Sequence, residues 1–262
     1  TNEQEGILDS CDVAISNGRI IGVGINLNAK EYFENLIYDT FDATGLHLTS
    51  GIIDEHSHIA ISKGVNEGSE AVSSEVRIGD VINPNDHNIY RQLAGGTVVS
   101  QLLHGSANPI GGQSAIIKLR WGSNAEEMKI KEAKGYIKFA LGENVKQSNW
   151  GDFERTRFPQ TRMGVEQVFY DAFYRAKEYK KSWEKYNSLS YIEKQNTIPP
   201  REDLELDAIV EILDSKRFIT CHSYVQSEIN MLMHVADSMG FKVNTFTHIL
   251  EGYKVADKMK KH

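Results

Sequence analysis

Residues 51–58 read Gly-Ile-Ile-Asp-Glu-His-Ser-His, a short apolar run ending in two histidines spaced two apart. A run this short, with a β-branched pair and a glycine before it, reads as a strand rather than a helix. Side chains two apart on a strand point to one face, so His56 and His58 offer both imidazoles to the same side of the strand's carboxyl end. That arrangement suits a shared metal ion.

On the C-terminal side of this segment the chain alternates apolar runs with helical stretches. Strands are expected at 51–56, 96–103, 114–120, 136–141, 217–223 and 242–248, and helices at 164–186, 203–214 and 225–239. Alternation of this kind predicts an α/β chain with a parallel sheet and crossover helices. The expected architecture over residues 49–262 is a parallel (β/α) barrel with about six strands present. Strand carboxyl ends in such a barrel open on one face, where Lys138, His222 and His248 would join His56 and His58. The stretch 142–163 lacks periodicity and reads as a long loop of functional type.

On the N-terminal side, residues 11–26 alternate apolar and polar positions around Asn17-Gly18, the strongest short signal for a hairpin. Residues 36–48 are again short and strand-like. Residues 1–48 are therefore expected to form a small β subdomain ahead of the barrel.

Composition narrows the function classes. The chain has 262 residues, 40% hydrophobic and 25% charged, which is ordinary for a globular protein with a full core. A net charge of −7, with acidic and aromatic residues interleaved in the Lys-rich stretches 177–185 and 254–261, disfavours nucleic acid as a partner. Two cysteines make neither a disulfide framework nor a thiolate zinc cluster. No stretch of about 18 apolar residues suggests a membrane span. Residues 1–20 lack a signal-peptide pattern, yet the chain begins at Thr1, so the compartment stays open between cytoplasm and export. The expected partner is a small-molecule substrate, with homo-oligomerisation through open sheet edges as a further expectation.

The segments GIIDEHSHI, GGTVVSQLLHGSANPIGGQSAIIKLR, IKFALGENVK, CHSY and FTHILEGYKVADKM resemble those of the amidohydrolase superfamily, specifically its imidazolonepropionase-related group. The resemblance implies that His56 and His58 are metal ligands from the first strand, His222 from the fifth and His248 from the sixth. Lys138, on the fourth, is similar to the lysine that bridges two metals once carboxylated. It further implies one or two divalent ions, zinc first among them, and hydrolysis of amide-type C–N bonds (cyclic amide, imide or peptide-like) by metal-activated hydroxide. A deaminase or dipeptidase on the same scaffold, and a non-catalytic metal-binding fragment, are the alternatives.

Other positions are weaker candidates. Asn108, Gly111 and Gly112 in the loop Gly105–Gly112, together with His104, are candidates to contact substrate, and Arg155, Arg157 and Arg162 to hold an anionic substrate end. Glu143 and Asn144 are candidates to support the site from behind. One departure stands out: such enzymes carry a catalytic Asp at the end of an eighth strand, and the segment EGYKVADKMKKH after His248 reads as a helix. The resemblance therefore implies a partial, incomplete (β/α)8 TIM-type barrel in a C-terminally shortened chain, in which no residue present is assigned as the base. The small β subdomain would likewise be half of a β-sandwich completed from farther along such chains.

Overall fold

The computed structural model describes residues 6–34, 36–151, 153 and 156–262. The chain divides into two units, Thr1–Gly51 and Ile52–His262. In the first, strands β1 (Asp12–Ser16) and β2 (Arg19–Gly24) pair antiparallel. Ser16 opposite Arg19 leaves a two-residue loop, and Asn17 (φ 50) and Gly18 (φ 71) both take the left-handed conformation that a type I′ turn demands. Helix α1 (Ala29–Phe33) follows, its first turn capped by the Asn28 side chain, which accepts from the Lys30 amide. Residues 36–48 form no strand, contrary to expectation. Among the described residues no partner strand takes up their backbone groups, and Ile37, Phe41 and Leu46 face solvent.

The second unit begins with a parallel pair, β3 (Ile52–Ser57) and β4 (Thr97–Leu102), joined through helix α2 (His87–Ala94). Then come β5 (Ile110–Gln113), β6 (Ala115–Lys118), α3 (Ala125–Met128) and β7 (Gly135–Ala140). Helices α4 (Arg162–Asn187), α5 (Tyr191–Gln195) and α6 (Leu204–Leu213) lead to β8 (Arg217–His222). The unit ends with α7 (Gln226–Met239), β9 (Thr245–Thr247) and α8 (Ala256–Lys261). The fold is mixed α/β, with one sheet ordered β3-β4-β6 and another β5-β7-β8-β9.

Two features correct the sequence reading. The segment 114–120 does not add a parallel strand, because β6 runs antiparallel to β4. No helix lies between them, so the chain doubles back instead of crossing over. The Gly-rich run Gly105–Gly112 before it, read as a loop, ends in strand β5, antiparallel to β7. The parallel set is therefore β3–β4 and β7–β8–β9.

Alternation along β7 and β8 decides what the sheet presents on each side. Ile137, Phe139, Ile219 and Cys221 enter the larger core, where α4 contributes Phe169 and Phe173 and α7 contributes Leu232. Those α4 residues belong to a stripe at three- and four-residue spacing, Val165, Val168, Phe169, Ala172, Phe173 and Ala176, all buried. Phe173 stacks on Phe241 at 3.9 Å between ring centres. Lys138 and His222 necessarily take the opposite face. A second core gathers Leu102 and Ile117 from the first sheet with Ile78, Ile89 and Met128.

Candidate metal centre

The face of β7 and β8 away from the core meets the end of β3 in a chain of four imidazoles. Ring centres lie 5.3 Å apart for His56 and His58, 4.6 Å for His56 and His248, and 5.0 Å for His222 and His248. Lys138, fully buried, donates from Nζ to His56 Nε2 at 3.2 Å. Five positions spread over 193 residues of sequence, from 56 to 248, thus come together at strand ends. His248 sits just past β9 with φ 58, a left-handed conformation that a non-glycine residue holds only against local strain.

Electrostatics favour the neutral form of the His56, His58 and His222 rings. Burial, then the Lys138 amine and the neighbouring rings of His248, His58 and His222, hold His56 down to about 3. Burial, Lys138 and His248 bring His222 to about 4. His58 is lowered by burial, against the opposing pull of the Leu103 carbonyl, which takes a 2.8 Å hydrogen bond from Nδ1. That bond fixes the tautomer and leaves Nε2 with its lone pair free of a proton. Burial brings Lys138 itself to about 8.

Neutral imidazoles are metal donors, and the structure offers a test of fit in its unpartnered atoms. Among the described residues, His56 Nδ1 and His222 Nε2 are both buried without a hydrogen-bond partner. A buried polar nitrogen left unpaired is costly, and a cation drawing on these rings would satisfy it. Among the described residues no three His, Cys, Asp or Glu side chains already stand in ligating geometry. The rings meet edge to face or tilted, with centres 4.6–5.3 Å apart. The residues present fit a divalent ion.

The remaining candidates have other work. His104 is buried with both nitrogens engaged: Nδ1 donates to the Gly105 carbonyl at 2.9 Å, and Nε2 accepts from the Glu67 amide at 2.7 Å. Asn108 donates to the carbonyls of Glu67 and Glu70, each at 2.7 Å, and so fastens the segment after β3. Gly111 and Gly112 are buried where backbone must approach closely. A Cβ on Gly111 would stand 2.9 Å from His104 Nδ1 and 3.1 Å from the Lys138 carbonyl, and one on Gly112 would stand 2.7 Å from Val76 Cγ2. Arg162 pairs with buried Glu228 at 3.0 Å and with Glu143 at 3.6 Å. Glu143 also pairs with Lys146, and the Asn144 carbonyl accepts from the Trp150 indole. Arg157 binds the carbonyls of Gly68, Phe158 and Ala107. Arg155 lies outside the described residues.

Sequence reasoning missed Gln101. Register pairs Ser57 with Leu102 and Ser100 with Ile117, all turned to the second core, so Gln101 shares the opposite face with His56. Its Nε2 is buried without a partner. A polar residue inside the apolar run Val98–Leu103 was the available signal. Of two cavities of similar size, one of about 390 Å3 between Lys118, Glu127 and Lys131 has none of these residues in its wall.

A mixed α/β unit thus gathers four histidines and a buried lysine at the ends of its parallel strands, a donor set of the kind that suits a divalent ion. The chain is 29% identical over 267 aligned positions to the amidohydrolase tasK of Hapsidospora irregularis, covering 94% of this chain and 26% of that protein. It also matches the crystal structure of an amidohydrolase from Thermotoga maritima MSB8, with a TM-score of 0.81 and 31% identity over 95% of this chain and 62% of that one. No protein-family model matches. These likenesses support an amidohydrolase-family assignment. It spans about a quarter of the curated relative's length and about three fifths of the solved chain.

Proposed function

We propose that this chain carries the metal-binding half-site of a hydrolase of amide-type C–N bonds, cyclic or linear. The observation that carries the reading is Lys138 Nζ, fully buried and 3.2 Å from His56 Nε2 in the middle of the histidine cluster. His56, His58, His222 and His248 would hold the ion, and zinc suits an imidazole-rich set. Bound there, a divalent ion polarises a carbonyl and lowers the pKa of water.

The chain's own residues do the rest. The Leu103 carbonyl orients the His58 ring, and burial keeps His56 and His222 unprotonated, so their lone pairs are available across the neutral range. Lys138, brought to about 8, is mostly charged at pH 7 but neutral in about one molecule in ten, far more than an ordinary lysine, and a neutral amine adds carbon dioxide. The carbamate would supply two oxygens and a negative charge, enough to bridge a pair of ions. We also read β3, β4, β7, β8 and β9 as neighbouring strands of a (β/α)8-type barrel, because their parallel pairing and helical crossovers support it. The N-terminal unit is read as part of a β subdomain, and the chain as related to the imidazolonepropionase group.

Two measurements test this. Elemental analysis after equilibration with zinc should find one or two ions per chain, with His222→Ala and His56→Ala each losing most of that metal. Intact mass under native conditions with bicarbonate should show a gain of about 44 Da, lost in Lys138→Met. Metal content unchanged by both histidine variants would end the reading.

A further inference from the structure

The long loop after β7 does more than connect it to α4. Its residues Asn144 and Trp150 close a cavity of about 420 Å3 whose other walls are Asn66, Gly68, Ser106 and Ala107. That volume lies within the range of about 300–1,000 Å3 common to small-molecule sites. The walls come from segments following β3, β4 and β7, which carry His56, lead into the His58-binding Leu103 carbonyl, and carry Lys138. Ser106 is three residues past Leu103, so its Cα lies within about 11 Å of that residue's Cα. The cavity therefore opens beyond the same strand ends that carry the histidine cluster, its Ser106 wall three residues from the carbonyl that holds His58.

Its chemistry is neutral. None of the six lining residues ionises. Asn66 Oδ1 accepts from the Ala107 amide at 3.1 Å, and Trp150 Nε1 donates to the Asn144 carbonyl at 2.7 Å. These polar edges are satisfied within the wall, which leaves the indole face and small side chains as the contact surface. A cation beside it, Arg157, is committed to backbone carbonyls and not offered to an anion. Its Nε and one terminal nitrogen donate to the carbonyls of Gly68 at 2.7 Å and Ala107 at 2.6 Å, the other donates to Phe158 at 3.2 Å, and the guanidinium lies 5.4 Å from the Trp150 ring centre. One side chain thus clamps two walls and braces the third.

We infer that this cavity is the subsite for a neutral aromatic group flanking the scissile C–N bond, stacked on Trp150, and that Arg157 shapes it instead of binding substrate. The substrate class is then a neutral N-acylated aromatic amide. The inference rests on the hydrolase reading of the adjoining cluster, but binding tests it without catalysis. Gly68 supplies a control: an added Cβ would meet Trp150 at 3.6 Å and Ala107 Cβ at 3.8 Å, ordinary contacts. Gly68→Ala should fold normally, while Gly68→Leu projects its side chain into the cavity.

The probes are N-acetylphenylalaninamide, N-acetylleucinamide and N-acetylglutamate, titrated into the metal-free chain by calorimetry and saturation-transfer NMR. The aromatic amide should bind tightest, with Trp150→Ala and Gly68→Leu each weakening it about five- to tenfold, as loss of an aromatic stack does. Gly68→Ala should match the unaltered chain in melting temperature, and zinc content should not change in any of the variants. Tighter binding of N-acetylglutamate, or no saturable binding of the aromatic amide, overturns the subsite. So does aromatic binding untouched by Gly68→Leu and Trp150→Ala. If the binding pattern holds while zinc-loaded protein leaves every amide intact, the subsite stands and the hydrolase reading falls. Turnover of amides with KM unchanged in both variants keeps the hydrolase reading and removes the subsite.

Discussion

Replacing Lys138 by methionine should make the metal-free protein more stable at pH 7. The side chain is fully buried, and burial brings its pKa from the usual 10.5 to about 8. That gap, at about 1.36 kcal/mol per pH unit, makes holding the charged amine inside the fold cost about 3 kcal/mol. Below pH 8 the lysine is charged in both folded and unfolded chains, so the whole penalty is present. Between about 8 and 10.5 the unfolded chain holds the proton that the folded one has released, and the penalty fades as pH rises. Methionine has similar length and no charge, so it fills the space without the penalty. Urea denaturation of both proteins in chelator-treated, carbon-dioxide-free buffer should give a gain for Lys138→Met of about 3 kcal/mol at pH 7, shrinking toward zero by pH 10.5. A destabilised variant at pH 7, or a gain that does not change with pH, would refute the argument that an unrelieved charge is buried there.

Three further outcomes follow from the geometry. His56 and His222, at about 3 and about 4, should show no ring titration by 15N NMR between pH 5 and 8. Because the unfolded chain protonates these rings first, the urea midpoint should fall as pH drops below about 6.5, and a midpoint flat from pH 7 to 4.5 would contradict this. Gly111→Ala forces a Cβ against His104 Nδ1 and the Lys138 carbonyl, and should cost about 1–3 kcal/mol in chemical denaturation, an unchanged midpoint counting against the packing described. Arg157→Lys cannot reach the Gly68 and Ala107 carbonyls together, and the lost fork should lower stability by about 1–3 kcal/mol, with full retention showing that the clamp is not needed.

How much of this was legible beforehand depends on the range over which each cause acts. The hairpin at Asn17-Gly18 is a local matter of backbone twist, and two adjacent residues suffice to read it. The long helix α4 is equally local, its stripe repeating every three or four residues. The direction of β6 is not local: Ala-Ile-Ile-Lys pairs as well either way, and only the absence of a crossover helix after β4 turns it antiparallel. Strand β5 stayed hidden because Gly111 and Gly112 look like a turn, whereas their smallness answers to Val76, His104 and the Lys138 carbonyl, none of them adjacent in sequence. Arginines offered the same ambiguity, for nothing in the order of residues shows that Arg157 ends on three carbonyls and Arg162 on Glu228. Lys138 lies between these extremes. In Tyr-Ile-Lys-Phe-Ala the alternation alone sets it opposite Ile137 and Phe139, but a charged residue there is equally the mark of a solvated sheet face. The structure closes that face with histidines instead, so the strand keeps a group that works against its own stability, and such local inconsistency is what a site imposes on a fold.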